Sequence, residues 1–351
     1  MKTLSFSDLR GQDRAIRQLL PAVVSGGVAH TMLFSGPPGV GKTTAARALA
    51  KVVNCASPEN GDACGCCISC RRFDSGNHPD FLTIFPDGSS IKIEQVREFN
   101  RQLAFPPVAG GSRICVVQRA DLMTEEAANS FLKTLEEPPP GNIIVLTAAE
   151  PRDLLPTIVS RCRRVAFHPL SIEDVTRVLV EKQGLDEARA RVFAAVSGGS
   201  PGRAMEMHEH GFFESRIEWL DMLERLYEMP LDQVVALAAS LGAGRKKREK
   251  KAGEASDLSG VPAMLEVWEH WYRDVLIFKE QGPLSLLSNP DFSARLKNSA
   301  GRFNIDNLIR NIEVLDEARR NLMKMRNATL VLEHTMLKLK RSCEVGDDRR
   351  K

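Results

Sequence analysis

The stretch Thr31–Thr44, TMLFSGPPGVGKTT, constrains the fold of this chain most strongly, because it predicts a buried strand, a glycine-rich turn and a helix in direct succession. Thr31–Ser35 is the predicted strand and Ala45–Val53 the predicted helix. Glycines in such a turn let backbone N–H groups point at phosphate oxygens, and the helix N-terminus adds partial positive charge. The candidate nucleotide-binding residues here are Gly36, Gly39, Gly41, Lys42, Thr43 and Thr44.

Two side chains of this turn have chemistry that suits a nucleotide. Lys42 can reach the β and γ phosphates and the Thr43 hydroxyl can hold Mg²⁺, so ATP or ADP with Mg²⁺ is the predicted ligand. A glycine-rich turn that binds nothing is the competing interpretation, and the strand and helix on either side favour the nucleotide. The motif predicts nucleotide binding and does not predict hydrolysis.

Length and composition set broad limits on the class of protein. The 351 residues are enough for two or three domains, and 43% hydrophobic and 26% charged residues are typical of a globular protein. A net charge of +3 gives no argument for nucleic-acid binding. Because the N-terminus has no apolar signal core and no apolar run reaches membrane-spanning length, we predict a cytoplasmic protein.

Strands and helices alternate over the first half of the chain. Further strands are predicted at Phe81–Phe85, Arg113–Val117, Ile143–Thr147 and Arg164–Phe167, and further helices at Ala15–Val24, Ile93–Leu103 and Thr124–Glu136. This alternation predicts an α/β domain with a mostly parallel sheet between helical layers.

The pattern becomes helical after Pro169. Ser171 opens a helix with a capping signature, a second helix is predicted at 186–195 and a third near Arg203. We predict an α/β domain at 1–168, a small helical domain at 169–212, an all-helical domain at 213–343 and a frayed tail at 344–351. The charged segment 242–260, which contains RKKREKK, is predicted to be a mobile loop, and a nucleic-acid patch is the alternative.

A cluster of cysteines follows the phosphate-binding helix. Cys55, Cys64, Cys67 and Cys70 are spaced C-x8-C-x2-C-x2-C, which lets four thiolates converge on one tetrahedral Zn²⁺. Cys66 is out of step with this spacing. We predict a structural zinc module at about 55–72, with buried thiols that cluster by chance and an iron–sulfur centre as alternatives.

Several motifs together resemble one family, the bacterial clamp-loader ATPases of the replicative DNA polymerase III, within the AAA+ class. They are the phosphate loop, the four-cysteine insert, NHPDF (Asn77–Phe81), AANSFLKTLEEPPP (Ala127–Pro140) and PTIVSRC (Pro156–Cys162). The specific motifs cover about residues 1–210. The resemblance implies an AAA+ domain, a helical lid and a helical collar that builds a hetero-pentameric ring, with delta and gamma/tau subunits as partners. Such a ring loads a sliding clamp onto primed DNA.

The residues after the strand Arg113–Val117 separate the motor subunits of this family from its stator subunit. Hydrolysis needs an acidic residue there to organise Mg²⁺ and a Glu beside it to polarise water. Gln118 and Arg119 occupy these two positions, and Asp121 is acidic but displaced by three residues. The resemblance therefore implies a stator that holds nucleotide with little or no turnover and has no polymerase activity. A motor ATPase, another AAA+ ATPase and a zinc-containing DNA-binding module are the alternatives.

Two arginines match family positions that act on phosphate. Arg161 of Ser160-Arg161-Cys162 matches the arginine that reaches the γ-phosphate of a neighbouring subunit in trans, and an arginine in a surface salt bridge is the alternative. Arg203 matches the lid arginine that senses bound phosphate, and a solvent-facing helix residue is its alternative.

Overall fold

The computed structural model describes residues 5–249, 260–324 and 326–344 of the chain. These residues form two compact units. The first unit contains the residues up to Asp174 together with Gly199–Gly202, and the second contains Val175–Gly198 and the residues from Arg203 onward. The finer division into an α/β domain, a lid and a collar stays a prediction.

A parallel five-stranded sheet forms the centre of the first unit. Across the sheet the order is β2-β3-β4-β1-β5, and all four neighbouring pairs run parallel. The predicted bounds of β1 and β3 are confirmed, and the other three strands differ from prediction by one residue at one or both ends. The strands are β1 (Thr31–Ser35), β2 (Phe81–Ile84), β3 (Arg113–Val117), β4 (Asn142–Ala148) and β5 (Arg163–Ala166).

The central strands are apolar because both faces of the sheet are covered. Every residue of β1, β3 and β4 is buried, as is usual for parallel strands between helical layers. In the register of the sheet Leu33 lies opposite Leu146 and Cys115 opposite Ile144. These side chains belong to one hydrophobic core with Phe131.

The first two helices of this unit begin two and three residues earlier than the sequence predicts, whereas the helix that begins at Ile93 agrees with prediction. Helix α2 begins at Lys42, directly after Gly41, and not at Ala45. Thr124 caps α5, because its hydroxyl oxygen accepts a hydrogen bond from the Ala127 N–H. The helices are α1 (Asp13–Val24), α2 (Lys42–Val53), α3 (Ile68–Asp74), α4 (Ile93–Leu103), α5 (Glu125–Glu136) and α6 (Pro156–Val159).

After β5 the longer regular elements of the described residues are all α-helices, as predicted. Helix α12 packs against α14, and α11 packs against α15. The indole N–H of Trp268, fully buried on α12, donates to the carbonyl of Trp219 at 2.7 Å. The helices are α7 (Ile172–Gln183), α8 (Glu187–Val196), α9 (Pro201–Glu209), α10 (Phe212–Leu226), α11 (Leu231–Glu249), α12 (Val261–Lys279), α13 (Ser293–Arg302), α14 (Ile305–Met323) and α15 (Ala328–Glu344).

The prediction of a loop at 242–260 is wrong over its first part, because α11 continues through Gly242 to Glu249. Gly242 is buried where α11 meets Thr329 of α15, and a Cβ there would collide with Thr329. Glycine at this position therefore serves close helix packing, and the residues after it include Lys, Arg and Glu, which are good helix formers. The rest of the predicted loop up to residue 259, and the predicted tail beyond Glu344, lie outside the described residues.

Within the described part of the chain, no helix combines the length and the apolar character that crossing a membrane requires.

Candidate functional site

The phosphate loop, residues 36–44, connects β1 to α2 and has a backbone that requires glycine. Gly36 has φ +148° and Gly41 has φ +103°, both in the region that side chains disfavour. A Cβ at Gly36 would also collide with the carbonyl oxygen of Phe167. The predicted residues Gly36, Gly39, Gly41, Lys42, Thr43 and Thr44 thus lie together in one strand–turn–helix connection.

Lys42 is the first residue of α2 and folds back over the loop. Its ammonium group donates to the carbonyl of Pro37 at 2.7 Å and also to the carbonyl of Gly36. Burial lowers the pKa of Lys42 to about 8, although the negative charge of Asp121 acts in the opposite direction. The amine is therefore mostly charged at neutral pH and is held where a phosphate would replace carbonyl oxygens as its partner.

Asp121 is an acidic residue close to Gln118 and Arg119, the two positions where hydrolysis would require carboxylates. It lies in a short 3-10 turn, Ala120–Leu122, directly after β3 and the turn at Arg119. Arg119 has φ +51°, an uncommon backbone conformation for a residue other than glycine. The carboxylate of Asp121 is close enough to Lys42 to raise its pKa. An acid displaced by three residues in the sequence thus still acts on the charge of the phosphate-loop lysine.

Near the end of β4, the hydroxyl of Thr147 forms a hydrogen bond with the backbone. The Thr147 hydroxyl oxygen accepts a hydrogen bond from the Arg119 N–H at 3.1 Å. Thr147 is buried, and Ala148 and Ala149 follow it. The Thr147 side chain thus fixes the turn after β3.

Residues far along the chain also hold the phosphate loop. The Ser200 hydroxyl donates to the Pro38 carbonyl at 2.9 Å, and the Gly202 N–H donates to the Gly39 carbonyl at 2.9 Å. A Cβ on Gly202 would lie 2.9 Å from the Gly39 Cα, so glycine permits this approach. The Ser-Gly-Gly-Ser-Pro-Gly stretch is visible in the sequence, but its contact with the loop is not.

Gln12 forms hydrogen bonds with the phosphate loop and with the residues after β5. Its buried amide donates to the carbonyls of Val40 and His168, at 3.2 and 2.7 Å, and its oxygen accepts from the His168 N–H at 3.2 Å. The amide thus ties the segment before α1 to the phosphate loop and to the residues after β5. Sequence reasoning did not single out Gln12, because nothing local marks an amide that bonds across the fold.

Arg203 belongs to the second unit and has an acidic partner there. Its guanidinium pairs with Glu266 of α12. Arg319 of α14 pairs with Glu269, one turn further along α12, at 2.7 Å. Arg203 is thus part of a charged cluster on the helices of the second unit, and its predicted role as a phosphate sensor remains a prediction.

Arg161 lies at the edge of the first unit, directly after α6. Leu155 occupies the N-cap position of α6, and Pro156 is its first residue. The guanidinium Nε donates to Glu136 at 2.7 Å and Nη1 donates to the Thr157 carbonyl at 2.9 Å. The side chain is 31% exposed. The arginine therefore makes a surface salt bridge at an accessible edge, and its role in trans stays a prediction.

The four predicted metal ligands converge. The sulfur atoms of Cys55, Cys64, Cys67 and Cys70 all lie within 4.8 Å of one another. The Sγ atoms of Cys64 and Cys70 are 4.0 Å apart, and those of Cys70 and Cys55 are 3.7 Å apart. Four sulfurs at about 2.3 Å from a tetrahedral Zn²⁺ lie about 3.8 Å from each other. The residues therefore fit a closed four-thiolate metal site.

Hydrogen bonds from backbone N–H groups favour the thiolate form of two cysteines of this cluster. Hydrogen bonds from the N–H groups of Cys66 and Cys67 lower the pKa of Cys64 to about 6. A hydrogen bond from the Ala56 N–H is the main cause that lowers the pKa of Cys67. Burial raises the pKa of Cys70 in the opposite direction. A cation at the centre would stabilise all four thiolates together.

The cysteine module is fastened to the phosphate-loop helix by an ion pair. Lys51 of α2 is fully buried, and its ammonium lies 2.6 Å from the carboxylate of Asp74 at the end of α3. On the same helix Phe73 stacks on His78 with ring centroids 3.9 Å apart. Helix α3 carries two of the four cysteines at its start, because Cys67 caps it and Cys70 is within its first turn.

The NHPDF motif has a structural role that centres on Asp80. This fully buried carboxylate accepts hydrogen bonds from the N–H groups of Val108 and Ala109, at 2.8 and 2.7 Å. It also pairs with Arg113, which is 4% exposed, at 3.3 Å. The guanidinium in turn donates to the carbonyls of Gln102, Phe105 and Pro106. One buried ion pair therefore fixes the loop between α4 and β3.

Comparisons with known proteins agree with the motifs. A family model described as DNA polymerase III, delta subunit, matches residues 11–171. DNA polymerase III subunit delta' of Bacillus subtilis is 35% identical over 219 residues, which are 62% of this chain and 65% of the relative. Subunit delta' of Escherichia coli is 30% identical over 226 residues, 64% of this chain and 67% of the relative. Subunit tau of Escherichia coli is 31% identical over 208 residues, 58% of this chain and 32% of the relative.

The comparison with solved structures gives a more distant likeness. A crystal structure of a DNA polymerase III gamma subunit-related protein from Thermotoga maritima has a TM-score of 0.43 and 17% identity, over 93% of this chain and 99% of that chain. The chain spans slightly less than two thirds of the length of the first curated relatives it matches.

The parallel sheet, the phosphate loop and the helical region define an AAA+ P-loop protein with an all-helical C-terminal part. The chain belongs to the DNA polymerase III clamp-loader family, which includes the delta' and gamma/tau subunits.

Proposed function

We propose that this chain is a delta'-type stator subunit of a clamp loader, which helps load a sliding clamp onto primed DNA during replication. It holds ATP or ADP at the phosphate loop with negligible turnover, and it contributes Arg161 to the nucleotide site of a neighbouring motor subunit. Delta and gamma/tau subunits are its partners in a hetero-pentameric ring in the cytoplasm.

The observation that carries this proposal is a complete phosphate loop next to a strand, β3, that is not followed by the carboxylates that hydrolysis requires. Gln118 and Arg119 follow β3, where hydrolysis requires carboxylates. An amide and a guanidinium cannot bind Mg²⁺ as an anion does, and neither has the basicity to deprotonate water. Binding and chemistry are therefore separable in this chain.

The contacts of Arg161 suit a residue that changes partner. A half-exposed salt bridge such as Arg161–Glu136 contributes on the order of 1 kcal/mol or less. A planar guanidinium can instead fork onto two phosphate oxygens, which are stronger acceptors. The Glu136 carboxylate thus positions the Arg161 side chain. Breaking this weak pair would cost little free energy when the guanidinium moves to the γ-phosphate of an adjacent subunit.

A second candidate function is a hydrolysing motor subunit, and Asp121 is the observation that favours it. The negative charge of Asp121 acts on Lys42 and raises its pKa, so a carboxylate influences the phosphate loop. A motor would also need a base for water, a role for which Arg119 is unsuited. Steady-state turnover by the isolated chain distinguishes the two functions.

Assembly with purified partners tests the proposal directly. The tagged chain is mixed with delta and gamma/tau subunits and separated by size-exclusion chromatography. We expect a complex that contains all three types of subunit and hydrolyses ATP faster when the clamp and primed DNA are added. A chain that elutes alone at micromolar concentrations of all components would contradict membership of the ring.

We predict one tightly bound Zn²⁺ per chain. Cys70→Ser should remove it, because three thiolates leave the tetrahedron incomplete, whereas Cys66→Ser should retain it. Metal analysis of the purified variants measures both results. Since the module is small, zinc loss should increase hydrogen exchange in α3 and leave exchange in β1 and β4 unchanged. Purified wild-type protein without zinc would refute the assignment.

Nucleotide affinity should fall as pH rises, because Lys42 of the nucleotide-free chain has a pKa of about 8. The protonated amine binds phosphate, so its fraction, and hence the affinity, should decrease about tenfold from about pH 7 to about pH 9. Calorimetry with Mg²⁺–ADP measures this dependence. Lys42→Arg is the matched control, since arginine stays charged over this range and should give a flat profile at whatever affinity it has.

A further inference from the structure

We propose that Cys66 and Cys64 are an oxidation-sensitive pair through which a peroxide opens the four-cysteine site and releases its metal. The proposal rests on the zinc site proposed above and goes beyond it, because it assigns a reaction to the fifth cysteine of the cluster.

The fifth sulfur lies beside the site and outside it. Cys66 is exposed, and its Sγ lies 3.7 Å from the Sγ of Cys64. The four cysteines that converge do not include it. Gly65 has φ +73°, a left-handed conformation that turns the chain between the two cysteines. One glycine thus brings a ligand sulfur and a non-ligand sulfur together at the surface.

A four-thiolate zinc site is complete without Cys66. Structural zinc is four-coordinate, so a fifth sulfur has no open position on the metal. Its thiol therefore keeps its own reactivity, and solvent reaches it. A disulfide requires the two sulfurs to approach to about 2.05 Å. Cys66 is exposed and Cys64 is half-buried, so rotation of the Cys66 side chain supplies most of the movement from the present 3.7 Å.

The reaction proceeds in two steps that balance. The Cys66 thiolate attacks one oxygen of hydrogen peroxide and becomes a sulfenic acid, and the other oxygen leaves as water after protonation. The Cys64 thiolate then attacks the Cys66 sulfur, forms the S–S bond and displaces hydroxide, which leaves as a second water. Two thiols lose two electrons and two protons, and the peroxide takes up both.

Loss of Cys64 as a ligand has a structural consequence. Three thiolates remain, of which Cys67 and Cys70 belong to the start of α3. A zinc ion held by the three remaining thiolates would be bound more weakly and would be open to solvent at its fourth position, and its release would remove the cross-link at the N-terminus of α3. Because the Lys51–Asp74 pair lies at the other end of this helix, the module stays attached to α2 at that point.

The described thiols outside the cysteine cluster are less exposed than that of Cys66, which makes the reaction selective. Cys115 is fully buried in the sheet, and Cys162 is half-buried. A peroxide in solvent therefore reaches the exposed sulfur of Cys66 more easily than either of these two sulfurs. Cys162→Ser therefore serves as a matched control that removes a thiol away from the metal site.

The experiment follows zinc release from the full chain. Zinc-loaded protein is treated with hydrogen peroxide in the presence of a metallochromic indicator, and disulfides are mapped by mass spectrometry. We expect release in step with a Cys64–Cys66 disulfide that is 2 Da lighter than the dithiol, and recovery of zinc binding after reduction. Cys66→Ser should bind zinc normally and release it at least about tenfold more slowly, whereas Cys162→Ser should match wild type.

Three outcomes would overturn the proposal. Equal release rates from wild type and Cys66→Ser would show that a ligand thiolate reacts directly. A disulfide between two ligands, with Cys66 still reduced, would assign the reaction to another pair. Cys66 oxidised with zinc retained would show that oxidation does not open the site. Absence of zinc from the purified wild-type chain, by contrast, would refute the zinc assignment before the redox test begins.

Discussion

Replacing Arg161 by alanine should lower ATP hydrolysis by about 10³-fold at the motor site that the proposed ring places against this chain, while the isolated chain stays folded. The guanidinium lies at an edge of the first unit, 31% exposed, and its strongest partner is the surface carboxylate Glu136. A cation supplied in trans stabilises charge that develops on the γ-phosphoryl group, so its loss affects the chemical step more than nucleotide binding. Single-turnover hydrolysis in the reconstituted ring, with clamp and primed DNA present, measures the effect.

Two control variants separate the arginine's chemistry from its structural contacts. Arg164→Ala removes an exposed arginine three residues further along, on β5, and should leave hydrolysis unchanged. Glu136→Gln removes the salt bridge and keeps the arginine, and should change hydrolysis by only a few-fold, as expected for loss of positioning. If Arg161→Ala assembles normally and hydrolyses ATP like wild type, the arginine is only a structural residue.

Replacing Asp80 by alanine should destabilise the first unit by about 3–5 kcal/mol. The substitution leaves the guanidinium of Arg113 buried without its carboxylate, and it removes the acceptor of the Val108 and Ala109 N–H groups. A buried charge without a partner carries a full desolvation cost, whereas an exposed pair is solvated in any state. Glu98→Ala, which removes the exposed Glu98–Arg101 pair, is the matched control and should change stability by about 0.5 kcal/mol or less.

The distribution of tryptophan makes this measurement specific. Trp219, Trp268 and Trp271 are all in the second unit, so urea unfolding followed by tryptophan fluorescence reports that unit. Hydrogen exchange at the amides of β1 and β4 reports the first unit. For Asp80→Ala we expect faster exchange in the strands and an unchanged fluorescence transition. Strand protection equal to that of Glu98→Ala would show that the Asp80–Arg113 pair contributes little.

The parts of the fold that the sequence predicts well are those whose signal is local. β1 and β3 are short apolar runs with polar or glycine boundaries, and their bounds agree with prediction. The phosphate loop is also local, because its strand, turn and helix follow each other directly. The metal site is nearly local, since its four cysteines lie within 16 consecutive residues, 55 to 70.

The parts that the sequence does not predict depend on contacts between distant segments. Ser200 bonds to Pro38, a separation of 162 positions, and Asp80 pairs with Arg113 across 33. Helix α11 continues past Gly242 because that glycine permits close packing on Thr329, a partner that the local sequence does not reveal. In each case the residue type is ordinary and the partner determines its role.

The central claim is that this chain binds nucleotide and does not hydrolyse it, and turnover by the isolated chain tests it most directly. Wild type, Lys42→Ala and Asp121→Asn are assayed for Mg²⁺–ADP binding by calorimetry and for steady-state release of phosphate from ATP. We predict that wild type binds nucleotide, that Lys42→Ala does not, and that phosphate release by all three equals the background of the assay. Wild-type turnover at about 1 s⁻¹ or more, abolished by Lys42→Ala and by Asp121→Asn, would instead identify a motor subunit that uses Asp121.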